Sequence, residues 1–143
     1  MIQITPLLMV VLFTSNICYC LGEDKPVTPE TISRTWSRTE ILADGSQVSL
    51  LKIITPTHFA VFQQDAAGKN RQLFQAHSGR YSLQEDVMIE EYLFSSDPRI
   101  VGRSGKCRIT LEGETLKQTW PLPDGSTSVE VWKPQQSPEQ NRD

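Results

Sequence analysis

Thr35-Trp36-Ser37-Arg38-Thr39-Glu40-Ile41 and Val48-Ser49-Leu50-Leu51-Lys52-Ile53-Ile54, with Asp44-Gly45 between them, decide how this chain folds. The first run alternates in polarity and the second is rich in apolar β formers, as strands require. An Asp-Gly pair between two such runs is a strong hairpin signal, because a tight turn needs a left-handed backbone that glycine adopts without strain. Trp36 sits among polar neighbours. It is therefore expected to anchor its strand in the core.

The same pattern continues outward. Pro56 interrupts the chain, and a third run covers residues 57–64, closed by Asp65-Ala66-Ala67-Gly68-Lys69-Asn70. A fourth occupies 71–76 and 79–83, with a break expected at Ser78-Gly79. Residues 87–94 form the fifth and are richest in β formers. The longest connection, 95–105, holds Pro98, Gly102 and Gly105 and has room for a short helical turn. Runs at 106–111, 115–120 and 126–132 complete the series. No stretch sustains a helical period. About eight strands joined in order by short turns predict an all-β domain, an antiparallel up-and-down barrel whose closure removes exposed edges. A two-sheet sandwich is the structural alternative.

At the N-terminus, Leu7-Leu8-Met9-Val10-Val11-Leu12-Phe13 is an apolar run too short to cross a bilayer, which takes roughly 20 residues. Polar Thr14-Ser15-Asn16 follows, and Cys18-Tyr19-Cys20 places small side chains where a signal peptidase reads them. Residues 1–20 are thus expected to be a signal peptide, cut after Cys20 or Gly22, and the mature chain to be exported to the periplasm or beyond with no transmembrane span. Lipid attachment at Cys18 or Cys20 is the competing route, disfavoured by Ile17 and Tyr19 just before those cysteines. Residues 21–31, with Pro26 and Pro29, read as a polar leader; 32–133 as the barrel; and 134–143 as a disordered polar tail. After cleavage Cys107 stands alone, so it is expected to be a small core residue rather than half of a disulfide.

The 143 residues are 22% charged and 38% hydrophobic, with a formal net charge of −3 and both signs scattered. That length holds one modest core. Scattered charge argues against nucleic acid as a partner, since such proteins gather Lys and Arg on one face. The two histidines are not at metal-ligand spacing, and no G-x-S-x-G elbow is present. No cofactor, metal or catalytic residue is assigned.

The order of several motifs resembles the lipocalin-like families of small secreted bacterial proteins. It is carried by Arg34-Thr35-Trp36, Lys52-Ile53-Ile54-Thr55-Pro56-Thr57-His58-Phe59, Ser78-Gly79-Arg80-Tyr81-Ser82-Leu83, Ile89-Glu90-Glu91-Tyr92 and Glu130-Val131-Trp132-Lys133. The resemblance implies a first-strand Trp closing one barrel end and a cavity for a small, partly apolar molecule.

Alternate residues of a strand face opposite sides. A ligand cavity is expected on the mixed faces, where aromatics and isolated polar groups meet. That choice selects His58, Phe62, Tyr81, Met88, Glu90, Tyr92, Glu130 and Trp132 as ligand-binding candidates. Inward carboxylates at Glu90 and Glu130 need partners, and Arg80, Arg108 or Lys52 can supply them. His77 reads as a loop residue. Three readings follow: a binding module for a small hydrophobic or amphipathic molecule, a filled barrel serving as a structural or interaction protein, and a barrel enzyme using His58 with Glu90 or Tyr81.

Overall fold

Asp44-Gly45 makes the turn its composition requires: Gly45 has φ 83°, and the Leu42 and Ser46 backbones close the hairpin at 2.8 Å. We describe residues 24–136 of a computed structural model. The expected signal peptide and most of the expected tail lie outside the described residues. The hairpin joins β2 (Thr35–Ile41) to β3 (Gln47–Ile54). The chain then runs through β4 (His58–Asp65), β5 (Gln75–Gln84), β6 (Val87–Ser95), β7 (Ser104–Glu112), β8 (Thr115–Pro121) and β9 (Thr127–Pro134). Each strand pairs antiparallel with the next, and β9 returns to β2. The protein is a closed, eight-stranded, antiparallel up-and-down barrel.

Closure is uneven. β2 and β9 are in register only at Trp36–Pro134 and Ser37–Lys133, whereas β2 and β3 pair along their whole length. Above Ser37 the two strands of the seam are not laddered.

From residue 24 on, the expected polar leader is part of the fold. β1 (Asp24–Lys25) pairs with the end of β7 that β6 leaves free. A one-turn helix, α1 (Pro29–Ile32), follows, its start fixed by a Thr28–Thr31 capping box and by Pro29 in the first turn. That turn drives Ile32 into the barrel end, where it is fully buried and its carbonyl accepts a hydrogen bond from the Trp36 indole at 2.9 Å. Trp36 is buried as expected. Together they close one end.

Two local expectations change. Residues 71–73 form one turn of 3-10 helix capped by Asn70, and the strand starts only at Gln75. Ser78-Gly79 is a β-bulge inside β5 and not a break. Gly79 is needed there, because a Cβ would lie 1.7 Å from the Glu91 carbonyl oxygen. The 96–103 connection is built of hydrogen-bonded turns, with Gly102 at φ 79°, and holds no helix. The longer connections, at 66–74 and 96–103, sit at the end opposite α1. That end is open. Among the described residues no helix is long and apolar enough to cross a membrane.

Candidate functional site

The register fixes what faces inward. β3 sends Val48, Leu50, Lys52 and Ile54 inside, so its partner β4 must send in Phe59, Val61 and Gln63, which sit opposite Ile54, Lys52 and Leu50. This corrects two candidates. His58 and Phe62 occupy the other phase of β4 and lie exposed on the outer wall, His58 with its Nδ1 2.8 Å from the Thr57 hydroxyl. The physical reason is the competition between the two faces. Phe59 and Val61 bury more apolar surface together than the mixed His58 face, and a strand shifts all its side chains at once.

Tyr81, Met88, Glu90, Tyr92, Glu130 and Trp132 point into the barrel, at two levels. Met88 is fully buried below the midline, and Tyr81 donates to the Thr55 carbonyl near the closed end at 2.8 Å. Neither lines the open-end cavity. Glu90, Tyr92, Glu130 and Trp132 do.

The midline is crossed by a buried polar bridge. Lys52 Nζ donates to Glu90 Oε1 and to Gln118 Oε1, both at 2.6 Å, and all three residues are at most 1% exposed. Gln118 turns its amide nitrogen toward Cys107 Sγ at 3.2 Å and Glu90 Oε1 at 3.4 Å. Tyr92 Oη donates to Glu90 Oε2 at 3.4 Å. The Lys52 ammonium also lies 5.5 Å and 5.7 Å from the Phe59 and Trp132 ring centres. A buried charge needs such company. Of the three partners named from sequence, Lys52 holds Glu90, while Arg80 and Arg108 pair on the outside with Glu91 and Asp86.

Above the bridge, a cavity of about 360 Å³ opens toward the barrel mouth. His77, an inward residue of β5 and not a loop residue, forms an edge-to-face cluster with Phe59 and Tyr92, with ring centres 5.5 to 6.1 Å apart. Burial lowers the His77 pKa, opposed by the Glu90 charge. Burial, followed by the Glu90 charge, raises the Tyr92 hydroxyl. Burial pushes the Cys107 thiol up to about 12, against the Gln118 hydrogen bond, which makes it a packed core group rather than a nucleophile.

The seam side of the cavity was missed from sequence. Arg38 Nη2 contacts Glu40 at 2.8 Å and Glu130 at 3.3 Å, and its guanidinium lies 4.9 Å from the Trp132 ring centre. Trp132 Nε1 donates to the other Glu130 oxygen at 3.2 Å. Across the mouth, Trp120 lies against Gly105, where a Cβ would come within 3.0 Å of its ring and 2.8 Å of the Tyr92 hydroxyl. The absent side chain at 105 makes room for both. Arg38 Nε and Trp120 Nε1 are buried with no acceptor among the described residues. The signal for both residues was present: Arg38 shares the face of Trp36, and Trp120 the face of Leu116 and Gln118.

A larger hollow, about 800 Å³, lies on the outer wall beside Phe62, Phe74 and Val131. It is a broad groove that Arg38 also borders. The lumen site is set apart by its convergent polar groups, Arg38, Lys52, Glu90 and Glu130. Comparison with family models, with curated proteins and with solved structures returned no match.

Proposed function

We propose that the chain is an exported, lipocalin-like binding module that takes a small hydrophobic or amphipathic molecule at the open end of its barrel. The observation that carries this reading is the 360 Å³ cavity, walled by Tyr92, Trp120 and Trp132 and floored by the Lys52–Glu90–Gln118 bridge. It falls at the small end of the roughly 300–1,000 Å³ found for ligand sites, and apolar walls with a few convergent polar groups are the usual composition. The apolar run at residues 7–13 supports export.

One observation favours the filled-barrel reading instead. The closed half and midline are packed solid, from Ile32 and Trp36 up to Trp132. The enzyme reading loses its pair, because His58 lies on the outer wall while Glu90 and Tyr81 point inward.

A titration with N-phenyl-1-naphthylamine separates the two. Saturable 1:1 enhancement is expected, abolished in Ser128→Trp, which fills the mouth from β9. No saturable binding would establish the filled barrel, and binding untouched by Ser128→Trp would move the site elsewhere.

A further inference from the structure

Among the described residues, three polar or charged ones are buried outright: Lys52, Glu90 and Gln118. They come from β3, β6 and β8 and meet at one point. Lys52 Nζ lies 2.6 Å from both Glu90 Oε1 and Gln118 Oε1, and the same Glu90 oxygen lies 3.4 Å from Gln118 Nε2. One carboxylate oxygen therefore touches both the amine and the amide nitrogen. The other neighbours of that nitrogen are sulfurs, Cys107 Sγ at 3.2 Å and Met88 Sδ at 3.5 Å, which accept weakly.

An amine, a carboxamide and a carboxylate in contact with both are the parts of an amide exchange. In water that reaction is negligible, because an ammonium is no nucleophile and amide resonance resists attack. Here packing holds the groups together, and such placement is worth effective concentrations of roughly 10⁵–10⁸ M. None of the three residues is more than 1% exposed, so water does not compete for the carbonyl. Burial also favours the products. An ion pair is costly to keep out of water, and the exchange removes both of its charges.

We propose that Lys52 and Gln118 become joined by an amide bond in the folded chain, with Glu90 as the proton carrier. Glu90 takes a proton from Nζ, and the amine so freed attacks Gln118 Cδ. The Nζ–Cδ bond forms, the Cδ–Nε2 bond breaks, and Nε2 leaves as ammonia. Of the three Nζ protons, one stays on the new amide, one passes through Glu90 to Nε2, and one remains on Glu90 as a neutral acid. No oxidant or co-reactant is needed. The freshly folded chain holds the ion pair, and the bond replaces it with time. That bond crosses the lumen from β3 to β8 and so spans the β2–β9 seam, where only two positions are in register. It needs no ligand and is independent of the binding reading above.

The test is the intact mass of the native protein, held folded at pH 7.5 for a week. It should be lighter than its sequence requires by one ammonia, and tandem mass spectra of a digest should place the link between Lys52 and Gln118. Lys52→Met and Gln118→Met each remove a reacting group and should show the full mass of their sequences. Glu90→Gln keeps both reacting groups and should also stay at full mass; an undiminished loss of ammonia there would overturn the proposal. Native protein at full mass would overturn it whether or not the variants fold. A loss of ammonia that hydroxylamine reverses and Cys107→Ser abolishes would overturn it as well, in favour of a thioester between Cys107 and Gln118.

Discussion

Replacing Glu90 by Gln removes the carboxylate from the midline and leaves the Lys52 ammonium in place. The two charged atoms stand 2.6 Å apart with both side chains at most 2% exposed. At an effective dielectric near 20 their attraction is about 6 kcal/mol, comparable to the several kcal/mol per ion that desolvation costs. The pair as a whole is therefore close to neutral for stability, while half of it is a liability. Glu90→Gln, and separately Lys52→Met, should each destabilise by about 3–5 kcal/mol, a large share of the 5–15 kcal/mol that holds a domain of this size. The double substitution removes both charges, so its loss should fall well below the sum of the singles. Urea denaturation followed by tryptophan emission gives all four corners of the cycle at pH 7.5. Single variants within about 0.5 kcal/mol of the native protein would refute the reasoning, since that would mean water reaches the bridge. An additive double variant would also refute it, because the two groups would then not be coupled.

Three further outcomes follow from the fold. Gly79→Ala should cost roughly 3 kcal/mol, the upper end for overpacking, because its Cβ would meet the Glu91 backbone at the bulge; an unchanged urea midpoint would show the bulge relaxes freely. Trp36→Ala, which removes a fully buried indole and its hydrogen bond to Ile32, should cost about 3–5 kcal/mol in the same assay. His77 has its pKa lowered by burial in the folded state, so the unfolded chain binds its proton at higher pH. The stability that neutral His77 contributes is complete above the ordinary value of 6.5 and is lost as pH falls through the lowered folded value. His77→Phe should flatten the urea midpoint between pH 7 and pH 5, and an unaltered slope there would assign it to carboxylates.

The strands were legible because period-2 runs stood between clear turn residues. β2 was read to its observed bounds, and the Asp44-Gly45 turn was read with it. The site was harder to read, for a reason visible in β4. Thr57-Phe59-Val61-Gln63 and His58-Ala60-Phe62-Gln64 are each half apolar, so phase depends on the register with β3, which no local pattern contains. The same ambiguity holds for β9, where inward Trp132 opposes exposed Val129 and Val131, so closure and not hydrophobicity alone sets its phase. The leader was misread because Pro26 and Pro29 signal loop in a short window, although Pro29 stands at the first turn of a helix. His77 was placed in a loop because Ser78-Gly79 reads as a turn, when it is a bulge that lets the strand continue.

The short ladder between β2 and β9 makes the barrel mechanically asymmetric. Near the capped end two registered positions tie the strands; toward the mouth the junction is spanned by side chains, with Arg38 reaching from β2 to Glu130 on β9. Such a clasp can part without breaking a main-chain bond, so the wall yields there before any other strand pair loosens. Amide exchange should accordingly be fastest, among strand residues, at positions 38–41 and 128–131 that lack a partner across the junction. The clasp and the cavity share Arg38 and Glu130, so a molecule that bound against Arg38 would bear on the clasp as well.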